Sequence, residues 1–280
     1  MIVLSRFTIE QILKTRSGPA QSSMDLGITD CSVDVNNGAA TFPDGTAVGS
    51  AALEKIAKSD RGCFEIIGGE SVAIQQFSEA TGYMRSLAAT NGAPTMLVSG
   101  IPMHRIKNTD PMQDTREKIE ALGTIHGKVL DTATGLGYTA ILAAKKADMV
   151  VTVEIDPVAI EIAKRNPWSV ELFSNPKVEV FIADIQEKID DFSTGEFSAI
   201  VHDPPTFQFA GELYSLEFYK KLFRVLSRKG TLFHYIADPD SKLGDRMTKG
   251  VTKRLHEAGF SKVERRPKAF GVVARKQLFA

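Results

Sequence analysis

Ten residues constrain this chain more than any others: Val129-Leu130-Asp131-Thr132-Ala133-Thr134-Gly135-Leu136-Gly137-Tyr138. A short apolar strand runs into an acid, then a turn with two glycines, then the start of a helix. Glycine lets a backbone approach a ligand closely, and a helix start presents unpaired N–H groups. An α/β nucleotide site begins this way. A lone D-x-x-x-G-x-G match also fits an ordinary strand–helix turn. The following hundred residues weigh against the ordinary reading, because acids recur where the next three strands end.

From about residue 128 the pattern alternates. Strands are expected at Val129-Leu130, Met149 to Val153, Val178 to Ile182, Ala199 to Val201 and Leu232 to Ile236. Helices are expected between them, at Thr139 to Ala147, Pro157 to Arg165 and Leu216 to Leu226. Pro157 suits a first helical position, with Asp156 as its cap. Strand–helix alternation with short links implies a parallel sheet covered on both faces. Lys262-Val263-Glu264 and Gly271-Val272-Val273-Ala274 read as a closing hairpin, one strand antiparallel to the rest. The expected fold is a Rossmann-like α/β domain, preceded by a small strand-rich one.

The first hundred residues differ. Asn37-Gly38 and Asp44-Gly45 are hairpin signals near Val33, Val35 and Phe42. A helix is expected at Ala51 to Lys58 and a strand at Cys63 to Ile67. A further hairpin, Tyr83 to Ala89 with Thr95 to Ile101, turns at Asn91-Gly92. The polar run before Pro111 gives way to a charged helix, Asp114 to Leu122. The expected division is therefore 1–110, a small mixed β-rich domain, and 111–280, the α/β domain.

Hydrophobic residues make up 43% and charged residues 24%, as in ordinary globular chains. No apolar run approaches the roughly 18 residues of a membrane span. Met1 to Arg6 lacks the pattern of a signal peptide, and Cys31 and Cys63 lack metal or redox spacing. A cytoplasmic protein without membrane or metal partners is expected, its oligomeric state left open. Net charge is zero but uneven: residues 241–280 carry 11 basic and 3 acidic side chains. That tail suits an anionic partner or a solvated face; the neutral total argues against gripping long nucleic acid.

Glu154 ends the second strand and is expected to accept ribose hydroxyls, with a helix-start carboxylate as the ordinary alternative. Asp184 ends the third, where a carboxylate accepts an exocyclic adenine amine. Ile155 or Ile185 would pack on the ring. The fourth strand ends in His202-Asp203-Pro204-Pro205-Thr206-Phe207. Two prolines stiffen the turn and remove two N–H donors. Their carbonyls and Asp203 then form a pocket of acceptors suited to an amino nitrogen, and Phe207 can stack on a flat substrate.

Together these residues resemble the class I S-adenosylmethionine-dependent methyltransferases. Asp131 to Gly137 looks like their first motif, although Ala133 stands where glycine is common. Asp203-Pro204-Pro205-Thr206 is similar to the D/N-P-P-aromatic motif of amino-group methyltransferases, with Thr206 replacing the aromatic and Phe207 following. The superfamily resemblance covers about residues 115–276. Beyond residue 80, Gly100-Ile101-Pro102-Met103-His104-Arg105, Asn166-Pro167-Trp168-Ser169 and Ala210-Gly211-Glu212-Leu213-Tyr214 resemble a family of predicted archaeal methyltransferases.

The resemblance implies S-adenosylmethionine as cofactor, bound by Asp131, Thr132, Ala133, Thr134, Gly135, Gly137, Tyr138, Glu154, Ile155, Asp184, Ile185 and the edge of Asp203. Catalysis is expected at Asp203, Pro204 and Phe207, with Asp203 orienting an amino or ring nitrogen. His104, Arg105, His202, Tyr214 and Tyr235 are candidates to touch the acceptor, which the sequence leaves as RNA, protein or small molecule. His234 is expected to face the same crevice, and Gly211 to Tyr214 to form a lid. Two alternatives compete. Aminopropyl transfer uses decarboxylated S-adenosylmethionine on a related fold, but its enzymes resemble D-S-x-D-P after the fourth strand, whose first acid is missing here. A non-catalytic adenosyl-ligand or RNA binder is the other.

Overall fold

In a computed structural model that describes residues 1–276, the side chain of Gln208 excepted, the alternating region closes into one seven-stranded sheet. Its strands in chain order are Lys128–Asp131, Met149–Glu154, Val178–Ile182, Phe197–His202, Leu226–Tyr235, Lys262–Arg266 and Gly271–Arg275. Across the sheet they run third, second, first, fourth, fifth, seventh, sixth. The first five pair in parallel, and the seventh is antiparallel to both its neighbours. The chain order therefore reverses beside the first strand. In open α/β sheets that reversal makes a crevice beyond the carboxyl ends of the strands. Register brings the candidate residues to this one edge: Asp131 lies opposite Val201, Glu154 opposite Ile182, and His202 opposite His234.

The central strands are apolar because both their faces are covered. Val129, Leu130, Val150, Val151, Ile200 and Val201 are all buried. The helix Leu216–Val225 buries Phe218, Tyr219, Leu222 and Val225, one helical face, and its cap Ser215 accepts the Phe218 N–H at 3.1 Å. Full burial of such a side chain is worth about 1.5–3 kcal/mol. A second helix, Lys242–Glu257, was not anticipated from sequence. Gly244, Thr248, Val251 and Leu255 form its buried stripe, and cations crowd the opposite face. Two of four inward residues are small or polar, which weakens the periodic apolar signal. The fifth strand also starts earlier than expected, at Leu226 rather than Leu232. It is ten residues long, with a register shift opposite Phe197–Ala199.

By its contacts the chain divides into two units. One is Met1–Met112 with Val158–Glu171; the other is Gln113–Pro157 with the chain from Leu172 onward. In the first unit, a sheet of Ser17–Ser22, Cys31–Asn36, Ala39–Thr41 and Ala47–Val48 contains both expected turns, with Asn37 and Gly38 at positive φ. A second sheet contains the expected hairpin Tyr83–Ala88 with Thr95–Val98. The segment 158–171 joins this unit through an Arg165–Glu65 ion pair of 2.8 Å. It is also held by the Trp168 indole N–H, which donates to the Leu26 carbonyl at 3.2 Å. Among the described residues, no helix is long and apolar enough to cross a membrane.

Candidate active site

The glycine turn is built from its own side chains. Asp131 is fully buried, and its Oδ2 accepts the hydroxyls of Thr139 at 3.0 Å and Thr152 at 2.9 Å. Thr134 shares a 2.7 Å hydrogen bond with Thr152, and the Thr132 N–H donates to Val201 across the sheet. Thr132 and Thr134 thus brace the turn from inside, and Tyr138 is buried behind it. Gly135 and Gly137 both have positive φ, of 54° and 78°. The Gly135 Cα hydrogen points into open space, with nothing within 4 Å of where a Cβ would stand. Asp131 Oδ1 is buried without a hydrogen-bond partner. Such an acceptor is costly unless a donor meets it. Burial, helped by the nearby Asp203 charge and only partly countered by the hydroxyls of Thr152 and Thr139 and by the Ala133 N–H, pushes the Asp131 pKa up to about 7.

The carboxylate of Glu154 closes the turn. One oxygen accepts the Gly135 N–H at 2.8 Å and the other the Asp156 N–H at 3.0 Å. Asp184 caps the short helix Ile185–Lys188 by accepting the Gln186 N–H at 2.8 Å. Ile155 is 55% exposed beside Glu154 and presents an apolar surface. Ile185 does not: it packs into the core cluster with Ile189 and Phe192. Of the two isoleucines considered for a ring contact, the structure keeps Ile155 at the surface.

The fourth strand delivers Asp203 at its end. One residue there was missed from sequence. Lys118, on the helix Pro111–Ala121, places its Nζ 2.7 Å from Asp203 Oδ2 and 3.0 Å from Asp114 Oδ2. Side-chain exposure is 1% for Lys118, 0% for Asp114 and 17% for Asp203. The same Nζ lies 4.6 Å from the Tyr235 ring centre. Burial alone would lower the Lys118 pKa; Asp203 and Asp114 outweigh it and raise it, so the ammonium stays charged. The signal was spacing. Thr115, Ile119 and Leu122 mark the inward face, and Lys118 lies one turn from Thr115 and Leu122. Phe207 is 54% exposed just past the two prolines, its ring edge-on to Tyr214 at 5.6 Å. Of the two proline carbonyls expected to be available, that of Pro205 is taken by the Tyr214 hydroxyl at 3.1 Å. The Pro204 carbonyl accepts no hydrogen bond from the described residues.

Two expected acceptor contacts, His202 and Tyr214, fall inside the packing, as does His234, which was expected to face the crevice. His202 is fully buried, with Nδ1 sharing a 2.7 Å hydrogen bond with Thr132 and Nε2 one of 3.0 Å with the Leu213 carbonyl. Both polar ring atoms are used internally. His234 lies 4.4 Å from it, ring to ring, with Nε2 2.8 Å from the Tyr219 hydroxyl. Tyr214 is buried and supports the proline turn, and Gly211–Tyr214 is a 3-10 turn on the core. Tyr235 is half-buried beside Lys118. His104 and Arg105 lie in the first unit, where the His104 ring shares a 3.0 Å hydrogen bond with Thr95. No group of three or more His, Cys, Asp or Glu side chains among the described residues could share an ion.

The buried histidines set an acid limit on stability. Burial holds the His202 pKa down to about 3 and the His234 pKa well below its ordinary value. Unfolding lets both rings bind protons, so stability falls as pH drops below about 6.5, by about 1.4 kcal/mol per pH unit for each ring. Asp131 has the opposite sign, because its raised pKa makes the folded state the better proton binder between about 4 and 7. The expected net loss is about 1.4 kcal/mol per unit, since one histidine is offset. Asp131→Asn removes the offset and should roughly double the slope. Urea unfolding between pH 4.5 and 6.5 measures this; equal slopes in both proteins would refute the assignment.

The family model for the methyltransferase small domain matches residues 114–252. The uncharacterized protein MJ1233 of Methanocaldococcus jannaschii is 40% identical over 273 residues, 95% of this chain and 93% of that protein. MJ0928 of the same organism, provisionally named a protein N5-glutamine methyltransferase, is 32% identical over 98 residues, 34% of this chain and 46% of that one. Among solved structures, a spermidine synthase in complex with the transition-state analogue AdoDATO shares the fold. Its TM-score is 0.61 at 18% identity, over 77% of this chain and 80% of that one.

Proposed function

The chain belongs to the class I S-adenosylmethionine-dependent methyltransferases, and we propose that it methylates a hydrogen-bearing nitrogen held by Asp203 and the Pro204 carbonyl. The observation that carries this reading is the Asp203-Pro204-Pro205 turn, which follows the fourth strand at the sheet edge and leads directly to the 54% exposed Phe207. S-adenosylmethionine supplies an activated methyl on a sulfonium that departs as a neutral thioether. The protein's task is then to orient the nucleophile and exclude water. Asp203 and Pro204 would hold the acceptor's N–H groups, aiming the nitrogen lone pair at the methyl. Phe207 would stack on a planar acceptor. The acceptor is an amino or ring nitrogen of an RNA, a protein or a small molecule.

The residues present suit this cofactor. The unpartnered Asp131 Oδ1 would take its ammonium, Glu154 its ribose hydroxyls, and Asp184 with Ile155 its adenine. Open space above Gly135 would admit its backbone-hugging portion. The pH dependence follows. Asp131 is raised to about 7 and must ionise to meet an ammonium. Affinity should therefore rise about tenfold per pH unit from pH 5.5 to 7 and then level. Calorimetric titration with S-adenosylmethionine and its decarboxylated form tests both points. Labelled-methyl transfer onto RNA, protein and small-molecule fractions of a cell extract then identifies the acceptor. Preference for the decarboxylated ligand would turn the assignment to aminopropyl transfer. A flat affinity profile would remove Asp131 from the ammonium.

A further inference from the structure

We propose that Lys118 is a positioning residue for methyl transfer: clamped by Asp114, it fixes the Asp203 carboxylate as a charged, weakly basic hydrogen-bond acceptor. This rests on the reading of Asp203 as the group that holds the acceptor nitrogen. Lys118 and Asp203 are 85 residues apart in sequence and 2.7 Å apart in space. The ammonium reaches one oxygen of Asp203 from a helix that precedes the first strand. It also touches Asp114 at 3.0 Å and the Tyr235 ring at 4.6 Å. One buried cation thus joins the helix to the ends of the fourth and fifth strands.

Stability alone does not account for this cluster. Taking an ammonium and a carboxylate out of water is costly, and apolar residues of equal volume often serve as well. Lys118 and Asp114 are sealed, whereas Asp203 keeps a partly exposed edge. An ion pair with one sealed end and one partly exposed end is suited to aiming the carboxylate at that end. The pairing also limits what Asp203 does. A carboxylate compensated by a nearby ammonium holds protons weakly. Asp203 then orients the acceptor without removing its proton. The nitrogen lone pair forms the new N–C bond, the S–C bonding pair stays on sulfur, and one N–H proton leaves the methylated nitrogen for water. Such an acceptor must arrive neutral, as an amide, a ring amine or an unprotonated amine.

Three variants of the full chain test the assignment: Lys118→Arg, Lys118→Met, and Lys118→Met with Asp114→Asn. The double variant removes the buried charge pair together and should fold, whereas Lys118→Met alone leaves two close carboxylates uncompensated. Carbon-13 NMR of labelled aspartate carboxyls, with Asp203→Asn identifying the resonance, follows Asp203 without an acceptor. The expected result is an upward move of its titration midpoint by one unit or more in the double variant. Labelled-methyl transfer onto the extract fraction that wild-type protein methylates should fall tenfold or more. With saturating S-adenosylmethionine, so that Asp131 does not limit the rate, its acid limb should move up with the midpoint, S-adenosylmethionine affinity should stay within a few-fold, and Lys118→Arg should recover part of the rate. A lower rate with unmoved midpoint and acid limb would reduce Lys118 to a packing residue. Full transfer in Asp203→Ala would overturn the reading of Asp203 itself, whatever the Lys118 variants do.

Discussion

Replacing Asp203 with alanine is expected to lower methyl transfer by about a hundred- to a thousand-fold, the loss typical when a preorganised polar contact to reacting atoms is removed. S-adenosylmethionine affinity should change by no more than a few-fold. The fold should survive, because Lys118 keeps Asp114 at 3.0 Å and is not left as a buried lone charge. Asparagine is the more revealing substitution. Its amide oxygen would turn to the Lys118 ammonium, because the alternative sets two donors against each other. The NH2 would then face the acceptor's own N–H groups. Asp203→Asn should therefore be nearly as inactive as Asp203→Ala, although other amino-group methyltransferases with an N-P-P motif carry asparagine there. Single-turnover transfer with saturating cofactor separates the two steps. Near-normal turnover in Asp203→Asn would mean that Lys118 does not dictate the orientation of residue 203.

The parts of this site that follow from backbone position were legible in the sequence. Glycines that need positive φ, acids at strand ends and a double proline each leave a local signature. Gly135, Gly137, Glu154, Asp184 and Asp203 stand at the sheet edge where that signature places them. What escaped was set by packing between distant segments. Lys118 reads as one charge in a charged helix; only the sheet brings Asp203 to it. His202 and His234 are polar residues at strand ends, as a ligand contact would be. Whether such a ring turns outward or into the core depends on partners such as Thr132, Leu213 and Tyr219, which no spacing rule links to it. The helix Lys242–Glu257 was hidden for the related reason that glycine and threonine occupy half its inward stripe. The segment 158–171, read from sequence as part of the α/β domain, is grouped by contacts with the first unit.

The two glycines of the turn should fail in different ways when substituted. Gly137 has φ of 78°, and a Cβ there would stand 2.6–2.9 Å from the buried Leu172 side chain. A β-branched residue is a clear outlier at positive φ. Left-handed backbone costs about 1–2 kcal/mol and overpacking about 1–3 kcal/mol more, so Gly137→Val should destabilise by about 2–5 kcal/mol. Cofactor binding should weaken with it, since the Gly137 N–H holds the Thr134 carbonyl at 2.7 Å and so shapes the turn. Gly135 has φ of 54° but no neighbour within 4 Å of a Cβ position. Gly135→Ala should cost the fold only about 1–2 kcal/mol. Its methyl would occupy the space proposed for S-adenosylmethionine, and affinity should fall tenfold or more. Denaturant unfolding and calorimetry on both variants separate the two effects. Unchanged affinity in Gly135→Ala would place the cofactor away from this turn and remove the geometric basis for assigning it to Asp131 and Glu154.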